Sequence, residues 1–352
     1  MKKSLLATTA IAALGAVAVA SPASAKFEVS VAGYMEQWFG YTDSSDSANP
    51  DSDTFEQHSD NEFFVRFSQT LDNGIKIGGE IQVEGENAGD IDEQYMYMQG
   101  SFGKVIVGTE NAAAYLMHYG VASKGIGIDE GDAANVWIVG ADGALNRTSA
   151  GTAVENDFNS ITYVTPRVNG FQVGATYIPE LGDQDDRVPR NNAGMERDGR
   201  RDNAWSLAGN YQNTINDLKL MASLGYIDGG DDDGIAGDNT ALSAGLRVGF
   251  GGFTASFAYG EHERDDAGAE TDTNIFGVGI NYQAGPAGVS VSYLRGEDSD
   301  NDTDQDMFEL GASYKVGPGV TAAGSIYYGK GQDGANTVAD GIAVAGGLKL
   351  SF

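Results

Sequence analysis

The chain of 352 residues carries 51 acidic against 21 basic side chains, a formal charge of -30, and it contains no cysteine. This acidity excludes a typical nucleic-acid binder, because such proteins use clustered Lys and Arg to displace counterions from phosphates. The absence of cysteine excludes disulfides and thiolate metal sites, and the hydrophobic content of 41% argues against a disordered chain.

An export signal is predicted at the N-terminus. Two lysines precede an apolar stretch from Leu5 to Ala20, and the segment up to Ala25 ends in the small-x-small pattern that signal peptidase accepts. We expect residues 1–25 to be removed and residues 26–352 to form a single mature domain. An N-terminal membrane anchor is the alternative, and the shortness of the apolar run argues against it.

Alternation with a period of two dominates the chain from Phe27 onward, which is the pattern of strands with one apolar and one polar face. Seven tight turns and eight longer acidic loops separate these stretches in strict alternation, which predicts sixteen strands. The tight turns are Asp72 to Gly74, Phe102-Gly103, Arg167 to Gly170, Asn213 to Asn216, Gly249 to Gly252, Ala284 to Pro286 and Gly317 to Gly319. The longer loops are Thr42 to Asp60, Asn87 to Asp90, Glu110 to Asn156, Glu180 to Asp202, Asp228 to Asn239, Glu263 to Asp272, Gly296 to Asp304 and Gly329 to Val338.

This alternation of connections predicts the fold class. In an antiparallel meander, odd and even connections lie at opposite ends of the sheet. The short turns therefore lie at one end and the long loops at the other. The pattern predicts an all-β, sixteen-stranded antiparallel transmembrane barrel with short periplasmic turns and long external loops. The sheet must close, because an open edge would leave backbone groups unpaired in hydrocarbon. A soluble β-sandwich with an aromatic core is the alternative.

The mature chain resembles the Gram-negative general porins, especially those of alphaproteobacteria. The resemblance rests on the start at Lys26, the strand from Asn61 to Leu71, the segment from Phe102 to Gly108 and the terminal Phe352. It implies a homotrimer in outer-membrane lipid, with the third loop of each barrel folded inward to narrow the pore. It also implies that the barrel-assembly machinery reads Phe352 as an assembly signal.

The resemblance places the pore constriction between the third loop and the barrel wall. Arg66 lies mid-strand with its side chain predicted toward the lumen, and it is the basic candidate on the wall. Three further cations share this parity near tight turns and are predicted to line the periplasmic mouth, Lys76, Lys219 and Arg247. The acidic candidates on the loop are Glu110, Asp129, Glu130, Asp132 and Asp142.

These residues predict a water-filled channel for passive diffusion of small hydrophilic solutes and ions. The surplus of carboxylates favours cations. Two alternatives are a non-conducting barrel that acts as an adhesin or structural envelope protein, and a solute-specific porin with lumenal aromatics such as Tyr34, Trp38 and Phe64.

No cofactor is expected to be required, although a loop-bound Ca²⁺ is a secondary hypothesis. Carboxylates concentrated in a flexible loop could gather the oxygen ligands that calcium takes, and solvated loop charge is the alternative. The candidate ligands are Asp228, Asp231, Asp232 and Asp233.

We do not expect an enzyme. His58, His118 and His262 are the three histidines, and all lie in predicted loops without metal or triad spacing around them.

Overall fold

The structure is a computed structural model that describes residues 27–45, 52–85, 91–129, 147–150, 158–180, 202–230, 239–266, 269–300, 302–333 and 337–352. The predicted signal segment therefore lies outside the described residues. Sixteen strands and one short helix follow in chain order. They are β1 Glu28–Ser45, β2 Ser52–Thr70, β3 Lys76–Glu84, β4 Ile91–Gly100, β5 Gly103–Glu110, α1 Ala113–Leu116, β6 Phe158–Val164, β7 Phe171–Glu180, β8 Asp202–Ile215, β9 Leu218–Asp228, β10 Asn239–Phe250, β11 Phe253–Asp266, β12 Ala269–Ala284, β13 Ala287–Asp298, β14 Thr303–Gly317, β15 Val320–Asp333 and β16 Thr337–Ser351.

The strands form one closed barrel in which each strand pairs with its neighbours in the chain and β1 pairs with β16. All of the pairings are antiparallel, and the closing pair runs from Tyr34 opposite Ser351 to Ser45 opposite Asp340. The predicted sixteen-stranded antiparallel barrel is confirmed. Among the described residues, no helix is both long and apolar enough to span a membrane.

Side chains alternate between two environments along each strand, as the sequence pattern predicts. On β13, Val289 and Val291 are 52% and 59% exposed, whereas Ser290 and Ser292 between them are 3% and 1% exposed. Large apolar side chains take the exposed parity on the other strands as well, including Leu224 on β9 and Leu310 on β14. The exposed parity is therefore the lipid-facing outer surface, and the opposite parity faces the lumen.

Two tight turns show how the short connections are built. β8 and β9 join through Asn216 and Asp217, whose φ angles are 47° and 69°. β10 and β11 join through Gly251 and Gly252, at 56° and 90°. Positive φ at both central residues is the geometry that matches the twist of a two-residue hairpin. The predicted turn from Asn213 to Asn216 therefore begins too early, because β8 continues to Ile215.

Several predicted external loops are largely strand. β1 continues to Ser45 and β2 begins at Ser52, so the hairpin occupies most of the predicted loop from Thr42 to Asp60. Backbone pairing continues where the apolar alternation of the side chains ends, because the hydrogen bonds between strands do not depend on that alternation. The placement of His58 and His262 in loops was wrong for this reason, since they lie on β2 and β11.

A break in the alternation at the start of β4 has a structural cause. The register between β3 and β4 shifts between Ile81 and Val83, where the strands form a bulge or irregularity. Such a shift changes which side chains face the lumen and therefore breaks the regular alternation that the rest of the chain follows.

Candidate functional site

The third long connection, between β5 and β6, enters the barrel and runs along its inner wall. The described parts of this inward loop are residues 111–129, which follow β5 and contain α1, and residues 147–150. Its backbone N–H groups donate to a row of lumen-facing hydroxyls at distances of 2.8 to 3.0 Å. The donors are Ala113, Ala114, Tyr119, Ala122, Lys124 and Ile126, and the hydroxyl row consists, in the same order, of Thr176, Ser206, Ser223, Ser256, Ser290 and Ser325.

The hydroxyl row spans β7 to β15, so the inward loop lies along the lumenal face of these strands. Backbone N–H groups that are buried without a partner are costly, and the row supplies the missing acceptors. Glycines on the same wall give the loop room. A Cβ added at Gly245 would lie 2.2 Å from the carbonyl oxygen of Tyr119, and one at Gly311 would lie 2.5 Å from the nitrogen of Gly125.

The loop reverses direction at Gly127, which has a φ of 127°. The Gly127 nitrogen donates to Oε1 of Glu309 at 3.0 Å, and the hydroxyl of Tyr327 donates to the Gly127 carbonyl at 2.9 Å. Ile128 then packs among buried apolar side chains that include Trp38 on β1. The tip of the loop is thus held by side chains from β14 and β15.

Asp129 joins two limbs of the loop. Its carboxylate accepts hydrogen bonds from the Val121 nitrogen at 2.7 Å and from the Thr148 nitrogen and hydroxyl at 2.8 to 3.1 Å. Burial raises the pKa of the Asp129 carboxyl, and these hydrogen bonds oppose that rise. The sequence placed Asp129 among the constriction acids, whereas in the structure its oxygens are directed at the loop's own backbone.

His118 belongs to the same network. Its Nε2 lies 3.0 Å from the Thr148 hydroxyl. Burial, together with the nearby guanidinium of Arg247, lowers the pKa of His118 to about 4. His118 is therefore neutral at physiological pH.

Arg247 also contacts the inward loop. Its Nε donates to the Gly120 carbonyl at 2.8 Å, and its guanidinium lies 5.9 Å from the centre of the Tyr119 ring. Lys76 and Lys219 are exposed beside tight turns, at the first residue of β3 and the second residue of β9. The structure thus places two of the three predicted mouth cations at the turn end and the third against the loop.

Strand β16 and strands β1 to β5 form an open wall that carries charged and aromatic side chains toward the lumen. Arg66 donates from Nη2 to Oε1 of Glu80 at 3.2 Å and from Nε to Oε2. The Arg66 side chain is 47% exposed, whereas that of Glu80 is 11% exposed. The cation therefore projects into the lumen while its counter-ion is buried against the wall.

A second pair with the same arrangement joins β16 to β1. Lys349 donates to Oε1 of Glu36, and the Trp38 indole donates to Oε2 of the same carboxylate at 3.1 Å. The Lys349 side chain is 44% exposed and that of Glu36 is 10% exposed. Glu36, Glu80 and Lys349 were absent from the predicted site, although their lumenal parity could have indicated them.

Glu110 ends β5 and is 7% exposed. Its Oε1 accepts from the Asn111 nitrogen at 3.0 Å, and the Asn111 amide donates to Glu93 at 2.6 Å. The predicted constriction acid is therefore packed where the inward loop leaves the wall. Carboxylate oxygens of Glu62, Glu84 and Asp92 lie within 4.8 Å of one another on the open wall, an acidic cluster that the sequence did not indicate.

The remaining predicted site residues are distributed as follows. Glu130, Asp132 and Asp142 of the constriction lie outside the described residues, as do Asp231, Asp232 and Asp233 of the calcium hypothesis. Asp228 ends β9, and its Oδ1 accepts from the Gly230 nitrogen at 3.1 Å.

Comparison with solved structures identifies the architecture. An anion-selective porin from Comamonas acidovorans shares 18% identity over 93% of this chain and 100% of that chain, with a TM-score of 0.65. The outer-membrane channel DcaP of Acinetobacter baumannii shares 11% identity over 93% and 97% of the two chains, with a TM-score of 0.62. OmpT of Vibrio cholerae, in its trimer form, shares 16% identity over 92% and 99%, with a TM-score of 0.60. Identities at this level establish the fold alone.

The family comparison goes further. None of the curated proteins matches the sequence. The family model described as Gram-negative porin matches residues 7–334, which is most of the chain. Together with the closed barrel, this match shows that the chain belongs to the Gram-negative porin family of outer-membrane proteins.

Proposed function

We propose that this porin forms a water-filled channel for passive diffusion of small hydrophilic solutes and ions, that it prefers cations, and that it catalyses no reaction. The observation that carries the proposal is the exposure of lumen-facing charges. Arg66 and Lys349 point into a closed cylinder, yet their side chains are 47% and 44% exposed. Water therefore reaches the open wall, and small polar solutes can reach it by the same path.

The charges of the open wall support cation preference. Arg66 and Lys349 are each paired with a carboxylate, so they contribute little net positive charge. Further carboxylates face the lumen on β2 to β5, and a surplus of one sign raises the local concentration of the opposite ion. These carboxylates are Glu62, Glu84, Glu93 and Glu110.

Single-channel recording in planar bilayers tests both parts of this proposal. We expect discrete conductance steps and, in a KCl gradient, a reversal potential whose sign shows K⁺ as the more permeant ion. A barrel without discrete steps would support the adhesin or structural alternative. A reversal potential of the opposite sign would contradict cation preference while leaving the channel itself intact.

We further propose a homotrimer whose subunits meet on the outer surface of β1 to β6. Gln37 and Asn61 have outward parity, and the Gln37 amide donates to Asn61 Oδ1 at 3.3 Å. Gln57 donates in turn to Gln37 at 2.5 Å. These amides lie between the outward rings of Phe63 and Phe55 on β2, within the lipid-facing band. Amides exposed to hydrocarbon are costly, so a second copy of the chain is the better neighbour.

A second polar row extends this surface. Gln94, Thr109 and Asn159 are register partners on β4, β5 and β6, and Thr109 donates to Asn159 at 3.1 Å. The outer surface of β13 to β16 differs. Its charged side chains lie only on the loop side of an aromatic row, which consists of Tyr293, Phe308 and Tyr328. We propose that this apolar surface contacts lipid.

Phe352 fits the proposed role as an assembly signal. Its backbone nitrogen and carbonyl each bond to Gly33 at 3.0 Å, and its ring lies 6.0 Å from that of Phe63. We propose that the barrel-assembly machinery binds Phe352 before β16 closes on β1. Phe352→Ser should reduce outer-membrane assembly in cells without preventing folding of purified protein into detergent. Equal loss in both settings would assign Phe352 a purely structural role.

Two further proposals concern segments that the described residues cover in part or not at all. We propose removal of residues 1–25, which N-terminal sequencing of the mature protein tests. We also propose a weak Ca²⁺ site formed by Asp228 with Asp231, Asp232 and Asp233. EDTA should then lower the melting temperature of the trimer, and an unchanged melting temperature would contradict the site.

A further inference from the structure

Two lumen-facing rings on the open wall lie side by side between two cations. The ring centres of Tyr34 and Phe64 are 6.2 Å apart. The Arg66 guanidinium lies 4.8 Å from the centre of the Phe64 ring, and the Lys349 ammonium lies 4.7 Å from the centre of the Tyr34 ring. We call these four side chains the ring platform. It presents an apolar surface with a cation at each side.

Each cation of the ring platform is paired with a carboxylate of the wall, which holds it in place and neutralises its charge. Glu80 accepts from two nitrogens of Arg66, and Glu36 accepts from Lys349. A guanidinium has five N–H donors, so donors of Arg66 remain for a solute carboxylate. Because the side chain is about half exposed, such a solute can reach them from the lumen.

The side of the ring platform at Tyr34 carries carboxylates as well as Lys349. The Tyr34 hydroxyl donates to Asp60 at 3.0 Å, and Tyr34 is the register partner of Glu62. Glu62 belongs to the acidic cluster with Glu84 and Asp92. From the loop end of the barrel toward the turn end, the wall therefore presents carboxylates, then two rings, then the guanidinium of Arg66.

This order matches a solute with an ammonium at one end, a carboxylate at the other and a flat apolar group between them. Arg66 lies four positions after Glu62 along β2, which is about 13 Å at the rise of a strand. A short peptide of three residues spans up to about 10 Å when extended, and the two wall side chains can cover the remaining gap.

We propose that the ring platform binds short zwitterionic peptides that carry an aromatic side chain, as a transient site within the channel proposed above. The peptide ammonium lies toward Glu62, its carboxylate accepts from Arg66, and its ring packs on Phe64 and Tyr34. An aromatic dicarboxylate could also use Arg66 and Lys349. The acidic cluster beside Tyr34 disfavours a second carboxylate in that position.

The test is the blockade of single-channel current by defined peptides. The zwitterion Gly-Phe-Gly should block the open channel with residence times about tenfold longer than Gly-Ala-Gly, which lacks the ring. Acetylating the amine or amidating the carboxylate of Gly-Phe-Gly should shorten these times by a similar factor. Terephthalate is the dicarboxylate probe, and it should block more briefly than Gly-Phe-Gly.

Variants locate the site. Phe64→Leu, which keeps apolar volume without a ring, and Arg66→Gln should each shorten the Gly-Phe-Gly blockade about tenfold. Lys76→Gln is the matched control, because Lys76 is an exposed cation on the same wall that lies opposite Thr70, four positions beyond Arg66 on β2. If Arg66→Gln does not fold, Phe64→Leu carries the test, since it leaves the ion pair with Glu80 in place.

Three results would overturn the inference. They are equal residence times for Gly-Phe-Gly and Gly-Ala-Gly, a longer blockade by terephthalate, and a loss in Lys76→Gln as large as that in the platform variants. Each of them leaves conductance in place and so contradicts only the peptide site. A chain without conductance would instead contradict the proposed channel.

Discussion

The two sides of this barrel share one strand pattern and differ on both of their surfaces. The open half, β16 with β1 to β5, presents charged and aromatic side chains to the lumen, and amides lie on the outer surface of β1 to β6. The covered half, β7 to β15, presents hydroxyls and glycines to the inward loop. On β13 to β15 its outer surface is apolar up to the aromatic row.

The difference shows that the lumen-facing side chains of each strand depend on what they contact, which is either water or the inward loop. Where the wall meets water, long charged side chains such as Arg66 extend into the lumen. Where it meets the loop, short side chains such as Ser223 let the loop backbone approach, and longer ones such as Arg247 and Tyr327 donate to its carbonyl groups. The pore is therefore shaped by residue size on one side and by charge on the other.

The largest expected effect comes from breaking the covered half. Replacing Ser223, Ser256 and Ser290 together by Ala leaves three partly buried N–H groups of the loop without these acceptors, at about 1 kcal/mol each. We expect the loop to leave the wall and the open-channel noise to rise severalfold in single-channel recordings. The control is Ser30→Ala with Ser68→Ala, two lumen-facing serines of the open half. A triple variant as quiet as the native channel would show that the hydroxyl row does not hold the loop.

A carboxylate should matter for ion selectivity only in the open half. Glu80→Gln removes the counter-ion of Arg66, and we expect the permeability ratio of K⁺ to Cl⁻ to fall about twofold. Glu309→Gln is the matched control, because Glu309 is 1% exposed beneath the loop and glutamine keeps an oxygen for the Gly127 nitrogen. Reversal potentials in a KCl gradient measure both. Equal shifts in the two variants would remove the distinction between the halves.

The outer surfaces can be compared through subunit contacts. Gln37→Leu with Asn61→Leu removes the hydrogen-bonded amides, and we expect the trimer to melt roughly 5 °C lower in detergent. Val344→Leu on β16 is the control, since it changes an apolar side chain that is 51% exposed on the lipid-facing surface. A double variant with an unchanged trimer melting temperature would move the subunit contact elsewhere.

The smallest expected effect is a dependence of loop docking on pH. The pKa of His118 falls from its ordinary value of 6.5 to about 4 when the loop is docked. Between these values the undocked loop binds a proton that the docked loop does not, so docking weakens as the pH falls from about 6.5 to 4. The raised pKa of Asp129 has the opposite effect, because proton binding to this carboxyl strengthens docking as the pH falls.

Comparison of the native protein with His118→Asn isolates the histidine, because Asp129 is present in both. The protection factors of the Val121 and Ala122 amides, which correct for slower intrinsic exchange at low pH, should fall more in the native protein than in His118→Asn between pH 7 and pH 4.5. An equal fall in the two proteins would assign the pH dependence to other groups.

Much of the fold was predictable because the bilayer imposes a simple rule on each strand. Apolar side chains such as Val289 and Val291 must face lipid, so their spacing is visible in the chain, and turn residues such as Gly251 and Gly252 mark where each hairpin reverses. Strand segments whose outward side chains are polar were not predictable in this way. His58 lies on such a segment of β2, between Gln57 and Asn61, where no apolar alternation indicates the strand.

The functional residues were less predictable, because lumenal parity is shared by side chains with different partners. Arg66 and Asp129 both looked like constriction charges. Arg66 is exposed to the lumen, whereas Asp129 accepts three hydrogen bonds from groups eight and nineteen positions away in the chain. Only the folded loop brings Val121 and Thr148 to that carboxylate.

The sequence by itself determined the number of strands, their order and which face of each strand meets lipid, because these depend on local alternation and on turns between neighbours. The tertiary structure decided which half of the wall the loop covers, which cations keep a buried counter-ion, and where amides interrupt the lipid-facing surface. Those properties depend on contacts between residues far apart in the chain, such as Ile126 with Ser325 and Glu36 with Lys349. Such contacts exist only after the cylinder has closed.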